Sequence, residues 1–486
     1  MKPANMKPSL SPASGPQPLA PARRALASLA LSTLLASLGA SVTAVGLPVL
    51  AQAFDASFQH VQWVVLAYLL AITTLIVSLG RLGDLIGRRK LLLAGIALFT
   101  LASALCGLAP SLGLLIAARA LQGLGAAIMM TLTLALVGET VDKTRAGSAM
   151  GLLATLSAVG TALGPSLGSV LMTGFGWQAL FLVNVPLGLL TLLLAWRSLP
   201  AGQAANAEKV RFDITGTLLL ATALGAYALA MTLGGGHFGG LNISLLAAAI
   251  LSGGLFVRTQ HRRPSPLIPL TMFSDRLLVS GLATSALVAT VMMATLLVGP
   301  FYLSIALGLP SAIVGLVLAV GPCVAALAGM PAGRLADRFG VRPMRLLGLA
   351  TMASGCLLLS LVPPTLGIAG YVTAIMVTTL GYAMFQTANN AAVMAEIPAN
   401  QRGVIAGLLN LSRNLGFFSG AAMLGAVFAA MLPTNGTPSA TPEAVADGLH
   451  VTFIVALSLV VLAGFIAFKY REPEPLAAFQ DTVGRP

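Results

Sequence analysis

Charge is what this 486-residue chain has least of: Asp, Glu, Lys and Arg make up 8% of it, against 57% hydrophobic residues. A soluble globular domain carries about 25% charged residues, so a water-soluble protein of this length is excluded and lipid must cover much of the surface. Paired cysteines are missing as well. Cys106, Cys323 and Cys356 stand singly in apolar runs, which excludes a disulfide framework or a cysteine-rich zinc site. The histidines (His60, His237, His261, His450) are scattered, so no metal and no cofactor is expected. No Gly-Lys-Ser/Thr phosphate loop occurs, which excludes direct drive by ATP within this chain. No catalytic constellation occurs in any loop, so the chain does not read as an enzyme. Carboxylates are absent from the apolar interiors: all 14 Asp and Glu residues fall in loops, tails or segment ends.

What is present is a series of long apolar runs separated by short basic clusters. The formal net charge of +13 could suit nucleic acid, but that reading needs a basic face on a compact domain. Clusters between apolar runs instead have the pattern of cytoplasmic loops, which collect Lys and Arg. A helix needs about 20 apolar residues to cross the hydrocarbon core. Fourteen such runs are legible, near 26–50, 57–80, 89–109, 112–137, 144–172, 179–197, 213–234, 242–259, 276–306, 311–332, 343–362, 367–394, 402–431 and 449–469. The ninth is overlong and reads as though a surface-lying stretch precedes Pro300. Residues 1–24 are rich in Pro, Ser and Ala and read as a disordered tail. Arg23 and Arg24 before an apolar run imitate a secretory signal, but many further apolar segments follow, so the first run is kept as a spanning helix.

Orientation tests the count. With the amino terminus inside, the external connections near 51–56, 108–111, 173–178, 235–241, 307–310, 363–366 and 433–448 contain no Lys or Arg. Of 27 basic residues, Arg119 and Arg413 lie within segments; the other 25 (27 − 2) share the cytoplasmic side. Both termini are then cytoplasmic, and the expected location is the plasma (inner) membrane of the cell.

Two stretches repeat. Gly80-Arg-Leu-Gly-Asp84-Leu-Ile-Gly87-Arg88-Arg89 follows the second segment, and Gly333-Arg-Leu-Ala-Asp337-Arg-Phe-Gly340-Val-Arg342 follows the tenth; six of ten positions match. A weaker echo pairs Glu139–Arg145 with Glu396–Arg402. The nearly constant offset implies two homologous halves, an arrangement in which transporters bind substrate between the halves near the midplane. The expected fold class is therefore an all-α polytopic membrane protein with 6+2+6 helices. Its parts are the tail 1–24, a six-helix bundle over 25–200, a two-helix insert with loops over 201–265, a second bundle over 266–470 and a tail over 471–486. Asp84 and Asp337 can accept hydrogen bonds from free N–H groups at helix starts, where the macrodipole favours an anion. Pseudosymmetry then predicts that Asp84 meets the start of the thirteenth segment and Asp337 that of the fifth, latching the cytoplasmic side; simple turns with topogenic charge are the alternative.

The loop Gly80–Lys90 resembles the signature loop of the major facilitator superfamily. Arg119-Ala-Leu-Gln122-Gly123-Leu-Gly125-Ala126-Ala127 is similar to that family's Arg-x-x-Gln-Gly-x-Gly-Ala pattern. Gly160-Thr-Ala-Leu-Gly164-Pro165-Ser-Leu-Gly168 resembles the motif of its antiporters, with Ser169 where a second glycine is frequent. Trp177–Gly188 and Arg413-Asn-Leu-Gly416 point to the fourteen-helix drug:proton antiporter branch. The likeness spans residues 25–470 and implies a major facilitator fold and export of small organic compounds in exchange for protons.

The resemblance implies that Arg119 couples proton movement to the conformational cycle; a structural bond to backbone carbonyls is the alternative. Asp84, Arg88, Asp337, Gly164 and Pro165 are the other coupling or gating candidates, Pro165 because it removes a helix hydrogen bond and favours a bend. Polar side chains inside apolar helices are rare enough to mark a substrate lining. They are Arg413, Gln122, Gln386, Asn389, Asn390 and Asn410, with Asn414 beside them, and interhelical bonding is their alternative role. One departure stands out. The branch usually has an Asp in its first helix, and here Gly39 stands in that place, with Ala44 where Asn is common. With Arg119 and Arg413 as the deep charges, the cavity reads as electropositive and suited to neutral or anionic compounds. An importer or uniporter of a metabolite, and a membrane sensor, are the rival readings. The partners expected are a small organic substrate, protons and the bilayer, with no nucleic acid; a partner completing an export route is left open. The topology carries its own test: in intact cells, a membrane-impermeant thiol reagent should leave cysteines placed at positions 88 and 338 unlabelled.

Overall fold

The structure, a computed structural model, describes residues 19–140, 146–200, 213–233, 239–263, 270–395, 397, 402–432 and 440–469. Among these no strand occurs. Fourteen helices account for the apolar runs: α1 Leu19–Ala53, α2 Trp63–Ile86, α3 Arg88–Gly107, α4 Leu112–Thr140, α5 Ala146–Phe175, α6 Asn184–Ser198, α7 Ile214–Thr232, α8 Gly240–Arg262, α9 Arg276–Phe301, α10 Ser311–Phe339, α11 Val341–Leu361, α12 Gly367–Ala395, α13 Arg402–Ser419 and α14 Pro442–Lys469. Backbone polar groups find no water in hydrocarbon, so unbroken helices are the form that such runs must take. Thirteen of the described segments are long and apolar enough to cross a membrane. The remaining one is α13, made too polar by Asn410, Arg413 and Asn414, and interrupted by a π-helical turn at Gly420–Leu424 before helix resumes at Gly425–Ala429.

The helices overrun the apolar runs in several places. α1 begins at Leu19, inside the stretch read as a tail; proline is tolerated in a first turn, so Pro21 does not prevent it. The repeated stretch after the second segment, read as a loop, is helical through Ile86, and the chain turns at Gly87 alone, with φ of 101°. Its counterpart is helical through Phe339 and turns at Gly340, with φ of 91°. Glycine is required at both because a side chain makes this backbone region costly. The ninth segment is one span, α9 running through Pro300 into a π-helical turn at Tyr302–Ala306, with no surface-lying stretch before it.

Packing repeats as the sequence does. In the first bundle α1 lies on α5 and α6, α4 on α2 and α3, and α3 on α6. In the second, α9 lies on α13 and α14, α12 on α10 and α11, and α11 on α14. Close backbone approaches correspond too. A Cβ on Gly125 of α4 would stand 2.7 Å from the Phe99 nitrogen and 2.9 Å from the Gly95 carbonyl oxygen of α3. A Cβ on Gly348 of α11 would stand 2.5 Å from the Phe385 nitrogen and 2.9 Å from the Gly381 carbonyl oxygen of α12. Between bundles, α5 packs on α10 and α2 on α13, again a symmetric pair, with α1 against α9. The insert breaks the symmetry: α8 packs on α7, and α7 lies on α2 and on the π-helical turn of α13.

Because backbone faces each of these glycines, no rotamer change makes room. Gly125→Leu and Gly348→Leu should each destabilise the fold by about 1–3 kcal/mol or more, the usual cost of overpacking. Thermal unfolding in detergent reads this loss, with a leucine at Gly113, which meets nothing within 4 Å, as the neutral control.

Candidate functional site

Arg119 is wholly buried, and three helices supply its partners. Its Nε donates to the Val64 carbonyl of α2 (2.9 Å) and its Nη1 to the Gly39 carbonyl of α1 (3.2 Å), while Nη1 also donates to Gln122 Oε1 on its own helix. The guanidinium lies over the Tyr68 ring, Cζ 4.2 Å from its centroid, with the Phe181 ring at 5.8 Å. Gln122 passes the chain on: its Nε2 donates to Ser103 Oγ of α3 (2.7 Å), which donates to the Phe99 carbonyl (2.7 Å). Four helices are thus joined around one cation. Carbonyl dipoles and an aromatic face, rather than a formal negative charge, offset its desolvation. No carboxylate pairs with Arg119 among the described residues, and its Nη2 has no hydrogen-bond partner. Tyr68, whose hydroxyl donates to the Ala36 carbonyl (3.1 Å), joins this network and was not singled out from the sequence. Its place four residues after Val64, one helical turn on, was the available signal.

The missing first-helix acid has a structural explanation. A Cβ at Gly39 would stand 2.7 Å from Phe99 Cζ and 3.1 Å from Cε2. The Phe99 ring fills the space in front of Gly39, and Arg119 takes that residue's carbonyl. An aspartate fits here only if the Phe99 ring shifts.

In the second bundle the polar candidates divide. Asn389 is buried and its Nδ2 donates to the Gly281 carbonyl of α9 (3.0 Å), so its side chain joins two helices. Gln386 Nε2 donates to Asn390 Oδ1 (3.2 Å), both half-buried on α12. On α13, Asn410 Oδ1 accepts from Arg413 Nη2 (3.0 Å) and Asn414 Nδ2 (3.1 Å), and Arg413 is half-buried. Gln122, by contrast, is wholly buried within the Arg119 network.

The gating candidates lie at opposite ends of the bundle. At the end bearing the basic residues, Asp84 accepts from Arg88 Nε (2.9 Å) and Nη2 (2.8 Å), and Asp337 is solvent-exposed. The Glu139–Arg145 and Glu396–Arg402 echoes fall mainly outside the described residues. Toward the far end, α5 stays one helix through Pro165. Its glycines turn to α1: a Cβ at Gly160 would stand 2.7 Å from the Leu34 carbonyl oxygen, and Gly164 abuts Ser41. Pro165 and Ser169 face the other bundle instead, meeting Gly315 of α10. The serine that departs from the family pattern is thus matched by a glycine on the opposing helix. The second seam is closed alike, with Gln62 against Gly425, and the Phe58 ring edge-on to Phe301 (5.1 Å) and Phe428 (4.9 Å).

Two pseudosymmetric bundles, glycine-turned repeats and a buried arginine on α4 form one pattern, and residues 29–421 match the Major Facilitator Superfamily. The chain belongs to that superfamily. It is similar to the uncharacterized transporter YebQ of Escherichia coli, 31% identical over 91% of this chain and 94% of the relative. It is also similar to the multidrug efflux pump LfrA of Mycolicibacterium smegmatis, 33% identical over 85% of this chain and 82% of that pump. Among solved structures, a bacterial homolog of the human lysosomal transporter Spinster superposes with a TM-score of 0.68 over 93% of this chain and 97% of that one, at 16% identity. As a superfamily member the chain is an integral multi-pass transporter.

The Gly39–Phe99 contact separates two explanations of the missing acid. Gly39→Asp alone should lower thermal stability, since a Cβ collides with the ring. Adding Phe99→Ala should restore folding and let the new carboxylate pair with Arg119, an interaction read as non-additivity in a double-mutant cycle. Full stability of the single variant would defeat this account.

Proposed function

We propose that this transporter exports small organic compounds in exchange for protons and belongs to the fourteen-helix drug:proton antiporter branch. The basic end, with both chain termini, faces the cytoplasm of a cell whose plasma (inner) membrane holds the protein. The observation that carries export is the placement of the antiporter-like motif: Pro165 and Ser169 abut Gly315 across the seam between the bundles. That position lets the motif close the external side while Asp337 at the basic end stays exposed to water. The named contacts between bundles gather at this far end, which favours a state open toward the cytoplasm. Rocking the bundles would part Phe58 from Phe301 and Phe428 and bring the Asp84 and Asp337 latches together. The similarity to a multidrug efflux pump supports the same reading.

Substrate charge follows from the electrostatics. Arg119 has an unpartnered donor and, among the described residues, no carboxylate beside it, and half-buried Arg413 donates to the Asn410 amide oxygen. A cavity so lined favours neutral or anionic molecules, because a cation would enter against two like charges. Arg413, Asn410, Gln386 and Asn390 are the residues offered to it, and Arg119 with Gln122 links occupancy to the helix contacts.

Purified protein in liposomes with an imposed pH gradient tests both claims together. Anionic and neutral compounds should move against their gradients while the pH difference lasts, and movement should stop when a protonophore collapses it. Arg413→Gln should weaken transport of the anions about tenfold, the worth of a single lost charge-assisted hydrogen bond, and leave neutral compounds unchanged. Transport that ignores the protonophore removes the proton claim; an unaltered anion preference removes the electropositive cavity.

A further inference from the structure

The insert has no counterpart in the repeat, and its polar contacts are arranged unevenly. Helix α7 is joined to α2 near both ends. Toward the far end Trp63 Nε1 donates to Thr232 Oγ1 (3.1 Å), and toward the basic end the Ser78 and Thr217 hydroxyls share a hydrogen bond (2.7 Å). Asp213, the N-cap of α7, gathers the basic end further. Its Oδ1 accepts from the Gly216 nitrogen (2.8 Å) and pairs with Arg263 Nη1 (2.8 Å), and its Oδ2 accepts from Gln260 Nε2 (2.7 Å). The carboxylate is 1% exposed, the one described acid so deeply placed, and the Arg81 guanidinium of α2 lies within its field. Asn242 closes the other end of the hairpin, its Nδ2 donating to the Ala230 and Leu233 carbonyls (2.7 Å each). Toward the second bundle α7 presents something different. The Tyr227 ring lies 6.2 Å from that of Phe418, which with Ser419 immediately precedes the π-helical turn Gly420–Leu424 of α13.

We infer that the insert is a fixed outrigger of the first bundle, closed on itself by Asp213 and locked to α2 by the Thr217 and Thr232 contacts, and that Tyr227 is the positioning residue by which it holds α13 across the seam in this state. A π-helical turn is a frequent mark of functional strain in a helix, and here it sits where the outrigger touches the part that must slide. The inference rests on the rocking motion proposed above. During the cycle the α7–α2 spacing stays constant while the Tyr227–Ser419 spacing changes.

Two reducible cross-links in a chain lacking Cys106, Cys323 and Cys356 test this. One is a disulfide between Ser78→Cys and Thr217→Cys. The other joins Tyr227→Cys to Ser419→Cys through a short bis-methanethiosulfonate. The readouts are transport in liposomes and, independently, labelling of Gln62→Cys, which is buried at the closed seam and becomes reachable when that seam opens. The 78–217 bridge should leave both readouts unchanged. The 227–419 bridge should lower both by about tenfold, as expected for holding one state of a two-state equilibrium, with recovery on reduction. An inhibitory 78–217 bridge, or a silent 227–419 bridge, overturns the inference. If the unbridged protein moves no compound, the transport proposal falls, and the labelling of residue 62 still decides the outrigger. Tyr227→Leu, which removes the ring that faces Phe418, should raise the labelling rate of residue 62.

Discussion

Hydrocarbon gives apolar helices little reason to prefer one another over lipid, so close backbone approach has to hold this bundle together. Some of the chain's 52 glycines serve that need at the crossings. Gly125 lies against α3 and Gly348 against α12 so closely that even a methyl group would strike backbone atoms. Where helices meet this tightly, dispersion contacts and a few well-placed polar bonds replace the solvent-driven force of a soluble core. Everything else about the architecture follows from which helices are permitted such approach.

Each bundle adds one polar grip of the same kind. In the first, Arg119 of α4 holds the Gly39 carbonyl of α1; in the second, Asn389 of α12 holds the Gly281 carbonyl of α9. The fourth helix of each half therefore takes hold of its first through a carbonyl left open by a missing side chain. The two grips differ in charge: a cation makes the first and a neutral amide the second. With Phe99 seated in front of Gly39, the Arg119 cation is balanced by carbonyl dipoles and the Tyr68 ring.

Much of this was legible in the sequence, for physical reasons. Lipid demands long apolar runs and sorts basic loops to one side, so the spans and the two halves could be read from hydropathy and charge. The positions of turns could not, because helix needs hydrogen bonds rather than apolar side chains: α2 continues through Gly80, Arg81 and Asp84 to Ile86, well past the last apolar run. Polar residues inside helices were found as a class, but not their separate roles. Asn389 and Asn390 are neighbours in sequence, yet one bonds to a helix of its own bundle and the other stays half-exposed. Asp213 was read simply as the edge of an apolar run. Its burial depends on Gln260 and Arg263, some fifty residues away, and nothing local to residue 213 announces them. The N-cap pattern, with Gly216 three residues on, was the single clue within reach.

The polar clasps on α7 and α8 have a consequence for biogenesis. Every bond that binds the hairpin to itself and to α2 is made by residues up to Arg263, so it can form before α9 has left the ribosome. A nascent chain of that length holds every partner needed to pair Asp213 and to seal the hairpin at both tips. The second bundle is then delivered against a finished surface, with Tyr227 waiting on it as a docking mark.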